Sequence, residues 1–289
     1  YILLAVYLVG INQSVAYWSP AGLETAAFSV SVGLCLLWWL RRSWLLIWGM
    51  LLAVWLRPEG AVICGVLAVA EGIVEKRFPK FAVYSLLGAL VLSLPMVGFK
   101  LGYYHGILPN PFYAKTSFHW DQLKNGMEYT GQFLAHYGFY GVGLVVPLVL
   151  LILKRLTNEQ MKLWWAVIGY MAYVTVIGGD VLKVHRFYVP IAGASALLIV
   201  TAVWTMCRPF RERARWMVLI LLAAISIPLT IMLPGKVVKA YNVAEKGLVY
   251  NQGFLGRAKK DADRTDFSVA ATTIGVLGYE LIGHTVIDM

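Results

Sequence analysis

Tyr188-Val-Pro-Ile-Ala-Gly-Ala-Ser-Ala-Leu-Leu-Ile-Val-Thr-Ala-Val-Trp-Thr-Met-Cys207 runs straight into Arg208-Pro-Phe-Arg-Glu-Arg-Ala-Arg215. The first part carries no charge over the ~20 residues that a helix needs to cross a bilayer. The second part packs four arginines into eight residues. The same alternation of apolar run and basic cluster recurs outward in both directions, at Arg41-Arg42, Lys76 to Lys80 and Lys154 to Lys162. Of 289 residues, 60% are hydrophobic and 14% charged, whereas a soluble domain carries about 25% charged residues. Mean hydropathy is +0.69. The class is therefore a polytopic helical membrane protein. The net charge of +10 suggests nucleic acid at first sight. Its placement in every second loop fits a positive-inside bias better than a nucleic-acid groove.

The pattern predicts an all-α bundle over 1–234 with about eight to nine spans. They fall near 1–11, 22–40, 43–56, 60–74, 81–99, 131–153, 163–177, 188–207 and 216–233. Residues 235–289 read differently, as an amphipathic helix near Val237 to Ala258 followed by β-like pieces at Phe267 to Thr272 and Gly275 to Met289. This tail is expected to begin a small extracytoplasmic α/β region. The chain opens at Tyr1 inside an apolar run, so the expectation is a fragment that lacks N-terminal sequence and stops short in the tail. Cys35, Cys64 and Cys207 lie in apolar runs without metal-ligand spacing and read as small buried hydrophobes.

With the basic loops in the cytoplasm, segments 12–21, 57–60, 100–130, 178–187 and the tail all face outward. Arg57, Lys115, Lys183 and Arg186 supply positive charge there, and His185 adds a titratable ring. An arginine grips phosphate oxygens with two parallel hydrogen bonds. Glu24, Glu59 and Asp180 supply carboxylates able to take a proton or bind a divalent ion. Trp18, Tyr103, Tyr104, Phe112, Tyr113 and Trp120 offer flat faces for a sugar ring or a polyprenyl chain. Each group also has a structural alternative. The tryptophans anchor at the interface, Arg57 and Glu59 close a helical hairpin as an ion pair, and Asn110 sets a prolyl turn. Lys115 snorkels, Asp180 caps a helix, and His136 packs within the bundle.

Five motifs occur in order: Trp18-Ser-Pro-Ala-Gly-Leu-Glu-Thr25; Arg57-Pro-Glu-Gly60; Gly106-Ile-Leu-Pro-Asn-Pro-Phe-Tyr-Ala-Lys115; Gly178-Gly-Asp180 with Arg186-Phe187; and Gly278-Tyr279 with Val286-Ile-Asp-Met289. Together they resemble the bacterial GT-C glycosyltransferases related to the mycobacterial terminal β-(1→2) arabinofuranosyltransferase. The resemblance implies a polyprenyl-phosphate sugar donor, an inverting transfer and an active site on the outer face of the bacterial cytoplasmic membrane. The acceptor would be a cell-envelope glycan or lipid. It also implies a basic Asp in a first outer loop, which would precede Tyr1. On this reading Arg57, Glu59, Asn110, Tyr113, Lys115, His185 and Arg186 hold the donor, and Trp18 and Glu24 face substrate. Asp180 is the catalytic candidate within the chain. No metal ligands are assigned, and a divalent cation is left open. The alternatives are another GT-C transfer, to lipid A or protein, and a transporter or flippase of a lipid-linked saccharide.

Overall fold

Helices make up about 81% of the described residues, which places the protein in the all-α class. The computed structural model describes residues 2–21, 23–106, 120–180, 182, 184–232, 234–261, 268–271 and 275–288. The chain divides into two units, Tyr1–Gly235 and Lys236–Met289.

The first unit opens with α1 (Ile2–Gly10), α2 (Gln13–Trp18), α3 (Thr25–Leu40), α4 (Leu46–Leu56) and α5 (Glu59–Glu75). Then come α6 (Lys80–Tyr104), α7 (Trp120–His136), α8 (Gly138–Ile152) and α9 (Asn158–Val176). A 3-10 turn (Arg186–Ile191) leads into α10 (Ala192–Met206), and α11 (Glu212–Met232) closes the series. Among the described residues three helices are long and apolar enough to cross a bilayer: Lys80–Tyr104, Arg186–Met206 and one beginning at Glu212. The bent pair α7–α8 would add a fourth. α6 and α11 turn wide apolar faces outward, with Val91, Leu94, Phe99, Ile220, Leu221 and Ile231 all exposed. Exposed apolar faces of this kind mark contact with a partner protein or a membrane.

The helix boundaries have local causes. Arg57 precedes Pro58 and is driven to extended backbone, φ −149° and ψ 142°, as a pre-proline residue must be. Pro58 then starts α5, where its missing N–H costs nothing. The hairpin closes tightly because Gly60 lies on the Ala53 carbonyl, where a β-carbon would sit 2.2 Å from the oxygen. α9 starts earlier than hydropathy alone indicates. Thr157 accepts from the Gln160 N–H at 3.3 Å while the Gln160 side chain accepts from the Thr157 N–H at 3.1 Å, a reciprocal capping box. The Gln160 amide also donates to Thr201 O and Thr205 Oγ1, both at 2.9 Å, which ties α9 to α10.

The span expected at 131–153 is instead two helices that meet at 97°. Two reasons are visible. Segment 120–136 carries Asp121, Lys124 and Glu128, so it is too polar to extend a span. Tyr137 at the break is also held from afar: its hydroxyl accepts from Ser14 N at 2.8 Å, while Asn12 Nδ2 donates to the Tyr140 hydroxyl at 2.8 Å. Residues 120–130, expected as loop, are helical for their whole length.

The core is a layer of packed side chains from α3, α4, α5, α9 and α10, including Phe28, Val32, Trp39, Met50, Leu67, Tyr170 and Leu198. At one end of it lies an ionic clamp. The Trp39 indole N–H donates to Glu71 Oε2 at 2.8 Å, and Arg42 Nη1 reaches Glu71 Oε1 at 3.2 Å. Arg42 also pairs with Glu75, which Lys162 meets at 2.7 Å and Arg77 at 2.8 Å. The clamp joins the α3–α4 turn, α5 and α9 at what is here termed the Arg42 end.

Helix endings at this end share a feature. Arg42, Lys76 and Lys154 adopt left-handed backbone, with φ of 51°, 51° and 53°. Around Arg42 and Lys154 the hydrogen bonds form a Schellman motif: Ser43 N to Trp38 O at 2.9 Å and Arg155 N to Leu150 O at 2.8 Å. Glycine fills that position most often, since a β-carbon there costs about 1 kcal/mol or more.

The second unit consists of most of α12 (Pro234–Asp261), then β1 (Ser268–Ala271), α13 (Gly275–Glu280) and β2 (Thr285–Asp288). β1 and β2 pair in parallel, with Ser268 opposite Thr285 and Ala271 opposite Asp288. Parallel strands require a crossover, and α13 provides it. Residues 275–280, expected as strand, are therefore helical. Arg257 Nη1 meets Glu280 Oε1 at 2.7 Å, which fastens α13 to α12.

Candidate functional site

At the opposite end of the bundle, termed the Arg57 end, segments far apart in sequence converge. α2 is set first. Asn12 caps it by accepting from Ser14 N at 2.9 Å and Val15 N at 3.1 Å, and the same side chain is pinned to Tyr140. This fixes Trp18, whose ring is buried and whose indole N–H donates to Val184 O at 3.0 Å. Trp18, expected to face substrate, thus holds the 178–187 segment in place.

That segment leaves α9 through Gly178 (φ 88°) and Gly179 (φ 71°). Both need glycine twice over. The backbone is left-handed, and a β-carbon on Gly179 would fall 2.6 Å from Tyr129 Cβ. The turn delivers Asp180 to Arg186. Arg186 Nε donates to Asp180 Oδ2 at 2.7 Å and Nη2 to Oδ1 at 3.3 Å. The Asp180 side chain is 2% exposed, and Oδ1 also accepts from Leu182 N at 3.3 Å. Both oxygens accept hydrogen bonds, and this carboxylate orients Arg186.

Arg57 is the centre of the site. It is buried, and its guanidinium lies 5.6 Å from the Phe28 ring and 5.1 Å from the Phe187 ring. Its Nη2 donates to Glu59 Oε1 at 3.1 Å, and its Nε lies 3.4 Å from Glu24 Oε1. Its Nη1 is buried and has no hydrogen-bond partner among the described residues. Arg186 lies 5.5 Å from the same Phe187 ring and 5.7 Å from Trp18. Two guanidiniums thus flank one phenyl ring, with three carboxylates behind them. Glu24 is the most open of the three, its side chain 39% exposed.

His185 sits beside them with left-handed backbone, φ 50°. Its Nε2 lies 2.8 Å from His136 Nδ1, within rings of Tyr129, Phe133 and Tyr137. Burial, reinforced by His136, pushes the His185 pKa from 6.5 down to about 3. The ring is neutral near pH 7, so it acts as a hydrogen-bonding group and adds no charge for phosphate. Its Nδ1 also has no partner among the described residues.

The structure therefore brings together Trp18, Glu24, Arg57, Glu59, Asp180, His185 and Arg186. Asn110, Tyr113 and Lys115, as well as Phe112 and Lys183, lie outside the described residues. Sequence reasoning missed Phe28 and Phe187 as the walls around Arg57. The spacing Glu24 to Phe28, one helical turn, was the available signal. Among the described residues no group of three or more His, Cys, Asp or Glu side chains could hold a metal ion. Glu24, Glu59 and Asp180, the carboxylates considered for a divalent ion, all pair with arginines.

An apolar groove of about 470 Å³ runs along α3 from Ala26 to Leu40, with Val9, Pro190 and Leu197 on its other walls. Ser19 and Val189 also line it; in the chain Ser19 follows Trp18, and Val189 lies two residues beyond Phe187. The groove follows the Ala26, Val30, Gly33 and Leu37 face of α3, whereas Phe28, which meets Arg57, lies on the buried face of the same helix. Comparison of the chain with protein-family models, curated proteins and solved structures returns no match, which leaves the geometry and chemistry of the site to carry its function.

Proposed function

We propose that this chain is the membrane core of an inverting GT-C-type glycosyltransferase. It takes a sugar from a polyprenyl-phosphate donor and passes it to a cell-envelope glycan or lipid. In this reading about eight to nine apolar helices are seated in the bacterial cytoplasmic membrane, with the Arg57 end on the extracytoplasmic side. One observation carries the proposal: the buried Arg57, with one donor nitrogen unmatched among the described residues, shares the Phe187 ring with Arg186, while an apolar groove follows the other face of α3. A polyprenyl phosphate has the matching halves. Its chain fits the groove, and its phosphate accepts from Arg57 Nη1 and Arg186. Neutral His185 then serves sugar or phosphate hydroxyls, and Glu24, the most open carboxylate, faces the acceptor side.

A flippase for the same lipid would need a polar route between the two ends of the bundle. The intervening layer is apolar, built of Val32, Cys35, Ile63, Leu67 and Val167, which favours transfer at one face. The test is sugar transfer from a polyprenyl-phosphate donor by the full-length protein, comparing wild type with Arg57→Ala/Arg186→Ala. Loss of transfer with membrane insertion retained is the expected result. Wild-type transfer by the double variant would remove the assignment.

A further inference from the structure

We propose that Lys76 and Lys154, the left-handed caps of α5 and α8, dock the phosphate groups of anionic phospholipids at the Arg42 end of the bundle. This rests on the membrane-spanning reading above. Three helices at this end finish on a basic residue in left-handed backbone: Arg42, Lys76 and Lys154. Elsewhere α9 ends on glycine, at Gly178, and α6 on His105, also left-handed at φ 55°. A β-carbon in this position meets a steric penalty that glycine avoids, a cost that a favourable contact of the side chain offsets.

For Arg42 that contact is internal, since it pairs with Glu71 and Glu75. Lys76 and Lys154 differ. Both are exposed, and among the described residues neither forms an ion pair. Attraction to the negative end of the helix dipole does not account for the strain, because a lysine one position earlier, in ordinary helical backbone, would gain the same attraction. What the left-handed cap adds is a charge carried just beyond the last turn, flanked in each case by a further arginine, Arg77 or Arg155. A compact ammonium with three donors suits a phosphodiester as a point contact. Polybasic clusters at the ends of membrane helices attract anionic lipid surfaces.

The experiment compares wild type, Lys76→Gly/Lys154→Gly and Lys76→Gln/Lys154→Gln. Each full chain is reconstituted into nanodiscs of phosphatidylcholine alone or of phosphatidylcholine mixed with phosphatidylglycerol, and its thermal melting is followed. In phosphatidylcholine the glycine variant should melt higher than wild type by roughly 4 °C, because its caps are relaxed. With phosphatidylglycerol, wild type should gain stability that neither variant gains, so the advantage of the glycine variant vanishes or reverses. The glutamine variant keeps the strained cap and should show the lost lipid response alone. If the glycine variant keeps the same advantage in both lipids, the lysines do not dock phosphate and the inference fails by itself. A chain that is retained in neither disc would overturn the membrane reading and this inference together.

Discussion

The Arg42 end and the Arg57 end of one bundle both place ionised side chains at helix turns, with opposite outcomes. At the Arg42 end Glu71 is matched by Trp39 and Arg42, and Glu75 by Arg42, Arg77 and Lys162. At the Arg57 end hydrogen bonding is left incomplete. Four buried side-chain atoms lack a partner among the described residues, and three of them, Thr25 Oγ1, Arg57 Nη1 and His185 Nδ1, lie here. Backbone strain does not separate the two: Val184 (φ 64°) and His185 (φ 50°) lie here, and Arg42, Lys76 and Lys154 at the other end. Unmet polar groups are a cost that a scaffold avoids and a binding site retains. The difference separates the end that holds the bundle together from the end that works.

The comparison breaks most visibly if the matched end proves dispensable. Glu71→Ala strands the buried Trp39 indole N–H, while Arg42 keeps Glu75, and should lower stability by about 1–3 kcal/mol. Sugar transfer per folded molecule should be unchanged; a melt equal to wild type would mean that the clamp is ornamental. Arg57→Ala should behave in the opposite way. The partly open Glu24 and Glu59 regain water, so stability falls by only about 1–2 kcal/mol, while transfer drops on the order of 100-fold.

His185 sharpens the contrast through pH. Its pKa is about 3 in the fold against 6.5 ordinarily, so below about 6.5 the unfolded chain binds the proton first. Stability contributed by the neutral ring is present above that value and is lost as pH falls toward 3. Melting curves taken across this window should slope downward with acid for wild type and flatten for His185→Gln. The smallest effect is expected at Glu24→Gln. An exposed ion pair contributes about 0–1 kcal/mol, so stability should hardly move, and any change in transfer would then report on the acceptor side.

Much of this was legible in the sequence. Arg41-Arg42 and Arg57-Pro58 mark the limits of α3, α4 and α5 within a few residues, because charge and proline stop apolar helices locally. Arg57, Asp180 and Arg186 stand out because ionised residues in an apolar chain need a partner or a cavity. The break at Tyr137 could not be read the same way. It depends on Asn12 and Ser14, more than a hundred residues away, and hydropathy over 131–153 contains no trace of them. Nor could the phenyl walls of Arg57, since Phe28 and Phe187 acquire meaning only when α3 and the 3-10 turn meet. Trp18 read as an interfacial aromatic ring, and only its bond to Val184 reveals it as a fastening.

α5 and α9 run antiparallel from one end of the bundle to the other, 17 and 19 residues long, or about 25 and 28 Å. Midway, Val66 seats in a notch at Gly169, where a β-carbon would lie 2.9 Å from Val66 Cγ1. Lys162 and Glu75 lock the same two rods farther along. Notch and lock together work as a key in a keyway, preventing either rod from sliding along the other. The far tips of these rods carry Glu59 and Asp180, so the spacing between the two carboxylates that aim the arginines is gauged near the middle of the bundle. A bulky residue at position 169 would detune the site from about half a helix length away, without touching a single group in it.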